Sequence, residues 1–313
     1  MPEVEVPVEK WAGRVHEVRL GGNGRKAVVV GGEAALPFLA FEGALPHPPV
    51  VAVEVQDMPP RDWPSALTAA WGDALKDPVT WAKKAAEIGA NLISLRLRSA
   101  HPEEGDTGAE QARRVVAAVL GAVDLPLIVL GPEVPAKDNE VLVAASEASR
   151  GQRVGLGDCV EKNYRTIAAA CLADGHVAIA KTPIEINLAK QLNILLCDLG
   201  LSPDQIIMDP TTGALGYGLE YTYSVMERLR LAGLGGDKMT AMPMLCTAGE
   251  EVWRQKEAKT SDAPPAWGGL AERALFWEEI TALTLLHAGA DIVVLRHPRT
   301  VEKVKEAIRK LGG

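Results

Sequence analysis

The densest run of residues suited to holding a ligand is Met208 to Gly218, which contains Asp209, Thr211, Thr212, Gly213, Gly216 and Tyr217. Three glycines and two threonines make a long turn with little side-chain bulk and many free backbone donors. Such a turn allows close backbone approach to a large ligand carrying amide arms; the plainer reading is a flexible connector. Other polar residues stand at or just after the ends of apolar runs: Gln56, Asp57, Arg98, Asp158, Cys159, Lys181, Thr182, Cys246, Thr247 and His297. Asp57, Asp158 and Asp209 can converge on a pterin or a metal, although single carboxylates also serve as helix caps and ion-pair partners.

Self-contained catalytic motifs are absent. There is no G-x-S-x-G, no H-E-x-x-H and no nucleotide-binding glycine motif. The six histidines are scattered, with only His297 ending a strand-like run and His101 in a loop. Cys159, Cys171, Cys197 and Cys246 lack C-x-x-C or cluster spacing, so they read as small buried hydrophobes in a reducing compartment. An iron–sulfur cluster held by this chain alone is not expected. Nor is a metal site built from the histidines expected, since three of them would have to converge from different loops.

The elements that position these residues repeat one pattern: an apolar run rich in β-branched residues, a polar loop, an amphipathic helix. The runs are 50–55, 91–97, 126–130, 153–157, 176–180, 205–208, 240–245 and 291–295. Short, nearly continuous apolar runs are parallel strands covered on both sides. Helical stripes lie between them: Val115, Val116, Val119, Leu120 and Val123; Leu188, Leu192, Leu195, Leu196 and Leu199; Val301, Val304, Ile308 and Leu311. Gly89 and Gly289 stand where a helix must end and a strand begin. Eight such units within about 250 residues predict a closed (β/α)8 TIM barrel over residues 50–313. An open doubly wound sheet would carry fewer strands and a G-x-G-x-x-G turn after the first, where this chain has Gln56-Asp57-Met58-Pro59-Pro60.

Residues 1–49 do not fit the repeat. Val15–Leu20, the turn Gly21-Gly22-Asn23-Gly24 and Ala27–Val30 predict a β-hairpin extension, either a plug for the bottom of the barrel or part of a subunit contact. The segment 248–268 carries Trp253, Trp267 and two adjacent prolines, a long insert for a βα loop. It reads either as a lid or docking segment or as tryptophans packed back on the barrel.

Composition narrows the class. A net charge of −8 argues against nucleic acid as a partner, because phosphate binding needs a basic field. No apolar run reaches the ~18 residues that span a bilayer. The acidic opening MPEVEVPVEKW does not read as a signal peptide, so a soluble cytoplasmic protein is expected.

The segment from Met208 to Arg228, together with Val51–Asp57 and 181–187, closely resembles the small (delta-type) subunit of the corrinoid/iron–sulfur protein of acetyl-CoA synthesis and cleavage. The resemblance extends over most of the chain. It implies a heterodimer whose large subunit brings a corrinoid domain and the 4Fe-4S cluster. It also implies a cobalamin-type corrinoid at the subunit interface, which takes a methyl group from methyltetrahydrofolate through a methyltransferase and delivers it to acetyl-CoA synthase. That is methyl transfer in the Wood–Ljungdahl pathway of carbon fixation. This chain's task would then be a dry, uncharged cover for one corrinoid face, made by Thr182, Asp209, Thr211, Thr212, Gly213, Gly216, Tyr217, Cys246, Thr247 and His297, with no catalytic residue of its own. The sequence Asp174-Gly175-His176 imitates the start of D-x-H-x-x-G, in which a His ligates cobalt. However, Ile179 occupies the glycine position, and the tripeptide leads into a strand rather than out of one. The alternative is a pterin-binding methyltransferase acting alone, with Asp57, Asp158 and Asp209 gripping the pterin; a purely structural scaffold is a third class.

Overall fold

The computed structural model describes residues 6–213 and 215–312. Met1–Glu5 of the acidic opening, Ala214 of the glycine–threonine turn and Gly313 lie outside the described residues. The strands are β1 Val18–Gly21, β2 Ala27–Val30, β3 Val50–Gln56, β4 Leu92–Arg96, β5 Leu127–Leu130, β6 Gly155–Cys159, β7 Val177–Lys181, β8 Ile206–Asp209, β9 Leu245–Cys246 and β10 Ile292–Leu295. The helices are α1 Ser65–Trp71, α2 Pro78–Glu87, α3 Ala109–Ala122, α4 Pro135–Ala148, α5 Tyr164–Asp174, α6 Ile186–Asp198, α7 Glu220–Leu234, α8 Ala248–Arg254, α9 Leu270–His287 and α10 Pro298–Leu311.

β3 to β10 form one all-parallel sheet in the order β8-β7-β6-β5-β4-β3-β10-β9. A single parallel bridge, Met208 to Met244, joins its two ends and closes the barrel. The expected TIM barrel is thus observed, with one difference in its seventh stave. The run 240–245 was expected to be strand, yet only Leu245–Cys246 pairs with β10. Pro243 stands inside that run, lacks an N–H and cannot continue a ladder. It contributes only its carbonyl, which accepts from Met208 N at 2.8 Å.

Strand alternation separates two cores. Val51, Val53 and Val55 face the helices, with Ile93, Leu95, Val129, Leu156 and Leu295. Val50, Ala52, Leu92, Ile128, Ile179 and Ile207 fill the barrel interior. Gly157 is small because the interior needs it to be: a Cβ there would lie 2.7 Å from Cβ of Ile179.

The N-terminal hairpin is a plug. β1 and β2 pair antiparallel from Val18↔Val30 to Gly21↔Ala27. Val18, Leu20 and Val30 join the interior core, so the hairpin seals the end of the barrel where the strands begin. Gly89 and Gly289 adopt φ of 90° and 108°, the left-handed caps expected between helix and strand.

Candidate functional site

The interior changes character halfway up. Val50 and Ala52 point inward, so alternation turns Glu54 and Gln56 inward above them. Arg96, Lys181, Asp209 and Arg296 stand at the same height near the strand ends. Arg296 donates to both oxygens of Glu54, at 2.8 Å each, and its guanidinium lies over the Trp63 ring at 5.2 Å. Arg96 donates to Asp158 at 3.0 Å, to Glu250 at 2.9 Å and to the Gly131 carbonyl at 3.1 Å. Lys181 reaches Glu133 and, at 3.4 Å, Asp158. The floor of the mouth is therefore a layer of ion pairs rather than an open channel.

Electrostatics follow from this burial. Burial opposes ionisation of Glu250, but Arg96 and Arg296 together outweigh it and hold its carboxyl well below the usual range. Asp209 is fully enclosed; burial raises its pKa to about 6 although Lys181 pulls the other way. Asp138, near the start of α4, is raised to about 7 by burial and then by the field of Asp158.

Beside this layer, at the ends of β6 and β7, opens a cavity of about 500 Å³. One wall is polar, with Glu133, Asp138, Asp158, Lys181, Thr182 and Thr211. The other is apolar and comes from α6. The α6 stripe divides accordingly: Leu192 and Leu196 are core, while Leu188 and Leu199 are about two-fifths exposed. Thr182 Oγ1, Asp158 Oδ1 and Asp209 Oδ2 are buried polar atoms without a hydrogen-bond partner among the described residues, whereas the Thr212 hydroxyl turns to the Cys246 thiol. Buried polar atoms are normally satisfied, so three orphans at the strand ends mark the mouth as a ligand-facing region.

The glycine–threonine turn has a buried root and an exposed tip. Asp209 Oδ1 accepts from Thr211 N at 2.9 Å, Thr211 Oγ1 donates to the Thr182 carbonyl at 2.6 Å, and Gly213 N donates to Thr222 Oγ1 at 3.2 Å. Thr212 and Gly213 are buried, whereas Gly216, at φ 86°, and Tyr217, 91% exposed, form the tip. These hydrogen bonds fix the root of the turn, and its tip leaves the Gly216 backbone and the Tyr217 ring exposed.

The remaining expected residues separate. Thr247 is buried at the start of α8. Cys246 faces away from the mouth into the sheet–helix core, where its thiol contacts Met226 Sδ at 3.6 Å and burial raises its pKa strongly. His297 caps α10 by accepting from Arg299 N at 3.1 Å and stacks on Trp253 at 5.9 Å; burial, then Arg299, lowers its pKa to about 4. Asp57 is a loop staple, accepting from Ser99 N at 2.8 Å and from the Ser99 hydroxyl. Arg98 pairs with Glu104 away from the ionic layer. Cys159 is sealed in the outer core. Of the two tryptophans in 248–268, Trp253 is buried on the barrel and Trp267 is half-exposed. Glu54, Arg96, Glu133, Asp138, Glu250 and Arg296 were not among the expected site residues, and the ionic layer is built largely from them. An uncharged mouth was expected; charge lies directly beneath the threonines.

The sequence profile of the CO dehydrogenase/acetyl-CoA synthase delta subunit matches residues 17–305. The chain is similar to the acetyl-CoA decarbonylase/synthase complex subunit delta of Archaeoglobus fulgidus, 38% identical over 97% of this chain and 70% of that protein. The corresponding subunit of Methanothermobacter thermautotrophicus is 37% identical over 97% of this chain and 77% of its own length. Among solved structures, Xanthomonas albilineans dihydropteroate synthase with 4-aminobenzoic acid aligns with a TM-score of 0.60 at 16% identity, covering 95% of this chain and 98% of that one. The Thermus thermophilus dihydropteroate synthase aligns at 0.58 and 14%, covering 96% and 100%. These last likenesses establish the barrel and nothing finer. Among the described residues, no helix is long and apolar enough to cross a membrane. By profile and by relatives that match 97% of its length, the chain belongs to the CO dehydrogenase/acetyl-CoA synthase delta subunit family.

Proposed function

We propose that this chain is the small subunit of a heterodimeric methyl carrier and covers a corrinoid held mainly by a large subunit. In that role it takes part in passing a methyl group from methyltetrahydrofolate, through its methyltransferase, to acetyl-CoA synthase. The observation that carries this reading is the filled floor of the mouth. Ion pairs from Glu54–Arg296 to Arg96–Asp158 occupy the barrel axis, so a ligand meets a rim and a turn, not a deep central pocket. A cover needs that form.

The corrinoid, when bound, supplies the cobalt that carries the methyl group. This chain's residues provide the surroundings. The Gly216–Tyr217 tip offers backbone donors and apolar surface to the macrocycle's arms, and Thr182 keeps a hydroxyl free at the root of the turn. The cations Arg96, Arg296 and Lys181 are each paired, but the carboxyl groups of Glu54, Glu133, Asp158 and Glu250 outnumber them, so the ionic layer beneath the turn is acidic on balance. The large-subunit cluster, the methyltransferase and acetyl-CoA synthase belong to the same proposal, as does a cytoplasmic setting.

One observation favours the second reading, a pterin-binding methyltransferase. The side cavity of about 500 Å³ is large enough for a flat heterocycle and presents Asp158 and Thr182 with unpartnered atoms. Two measurements separate the readings. The cover predicts corrinoid absorbance and cobalt in the co-expressed heterodimer but no saturable methyltetrahydrofolate binding by the isolated chain in calorimetry. Tight pterin binding by the isolated chain, with methyl transfer to free cobalamin, would overturn the cover.

A further inference from the structure

A second recess lies at the opposite end of the barrel, where the strands begin. It has a volume of about 360 Å³ and sits between segment 33–49, α7, the ends of α9 and α10, and the lead-in to β10. The segment leaves this volume open because it is lined there by Ala35, Ala40, Gly43 and Ala44 rather than by large side chains. Phe38, Leu45, Leu286 and Ile308 supply apolar walls. Phe38 holds φ at 62°, a conformation that bulky side chains rarely adopt, and its ring meets His287 edge-on at 5.2 Å. Backbone strain of this kind persists where surrounding structure enforces it, and it gathers at ligand sites.

The polar end of the recess has an unequal charge count. Arg230 Nη2 donates to Asp291 Oδ2 at 2.7 Å and to the Gly289 carbonyl, and the same Asp291 oxygen accepts from Met244 N at 2.7 Å. Glu33 Oε2 lies 3.5 Å from Arg230 Nη1 and accepts no hydrogen bond among the described residues, while the protonated Glu33 carboxyl is within hydrogen-bond reach of Asp291. His47 also faces the recess, but its Nε2 is turned to Glu17 at 3.7 Å. Two carboxyl groups therefore share one guanidinium in a poorly solvated corner. Burial, and then the field of Asp291, pushes the Glu33 pKa up to about 9, so without a further cation Glu33 keeps its proton at neutral pH.

We propose that this recess binds a small organic cation, a protonated primary amine or amidine carried on an apolar body about the size of one ring. The cation supplies the missing positive charge and donates to Glu33 Oε2, while Glu33 releases its proton to solvent. The apolar body packs against Phe38, Leu45 and Leu286. An anion would face two carboxyl groups and is excluded. This site is independent of the barrel mouth, so the covering role stands or falls separately.

The test uses the full chain and 2-phenylethylammonium chloride, with 2-phenylethanol and 3-phenylpropionate as neutral and anionic counterparts, by calorimetry at pH 7.5 in two buffers of different ionisation heat. The expected result is saturable binding of the amine, on the order of millimolar for so small a ligand. It should be at least about tenfold tighter than the alcohol, with no binding of the acid and with release of a proton. Glu33→Gln should weaken the amine about tenfold or more, because it removes the ionisable partner. Ala44→Leu, which fills the recess, should abolish binding while the circular dichroism spectrum is kept. The proposal is overturned by absence of saturable binding to the folded wild-type chain, by equal affinity for the alcohol, or by unchanged binding in Ala44→Leu should Glu33→Gln fail to fold.

Discussion

Arg96 and Asp158 face each other at 3.0 Å in the floor of the mouth, with only 5% and 3% of their side chains exposed. Removing the cation leaves Asp158 and Glu250 buried without their main partner. Arg96→Met is therefore expected to cost about 3–5 kcal/mol. Arg96→Lys should not restore it, since one ammonium cannot reach Asp158, Glu250 and the Gly131 carbonyl together. Urea unfolding at pH 7.5 measures this. A loss below about 1 kcal/mol, the worth of a surface pair, would show that the layer is not structurally significant.

Asp209 makes a prediction with a definite sign. Its folded pKa of about 6 lies above the ordinary carboxylate value, so the folded state retains the proton longer than the unfolded chain does. That contribution is complete below pH ~4 and is lost as pH rises through about 6. Asp209→Asn keeps an oxygen for Thr211 N and cannot ionise. The stability difference, variant minus wild type, should grow in the variant's favour from about pH 4 to about pH 7 and then level off. A difference independent of pH would contradict the assignment.

Gly213 tests the turn. A Cβ there would stand 3.2 Å from Ile184 Cδ1, the far end of a flexible side chain. Gly213→Ala should be accommodated, whereas Gly213→Phe should displace the turn without unfolding the barrel. The expected outcome is a lower cobalt content in purified heterodimer with little change in melting temperature. Unaltered cobalt would remove the turn from the cover.

Leu20, fully buried, carries the hairpin plug into the interior core. Leu20→Ala should cost about 2–5 kcal/mol, as for other core truncations. If the hairpin were a surface ornament, the same change would be nearly silent in thermal melts.

Two tryptophans in 248–268 should behave oppositely. Trp253→Ala removes a buried ring stacked on His297 and should destabilise the fold by about 3–5 kcal/mol. Trp267→Ala, at a half-exposed position, should leave stability within about 0.5 kcal/mol. If Trp267 serves docking, the latter change lowers association with partner proteins in pull-down or calorimetry; unchanged association would exclude that use.

The barrel was legible because parallel strands covered on both faces have to be written as short apolar runs, such as Val50–Val55 and Ile292–Leu295. The stave around Leu245 is shorter than its apolar content suggests, because Pro243 within it has no donor to give. The ionic layer was harder to see, since Glu54 and Arg296 lie 242 residues apart and only closure brings them together. A signal did exist. A charged residue at an inward position of an otherwise apolar strand, as in Val53-Glu54-Val55 or Leu95-Arg96-Leu97, requires a buried counter-charge. Cys246 and His297 were placed at the rim from their position at strand ends, but position along the chain does not say to which side a side chain turns.

The Met208–Met244 bridge makes the joint between β8 and β9 the thinnest seam in the cylinder, and the glycine–threonine turn springs from its edge. Slippage there would spread the staves beneath the glycine–threonine turn, while the hairpin keeps the far end shut. Amide hydrogens along that seam should exchange with deuterium sooner than those of β3 to β5. The molecule would then open like a clasp, from one side only.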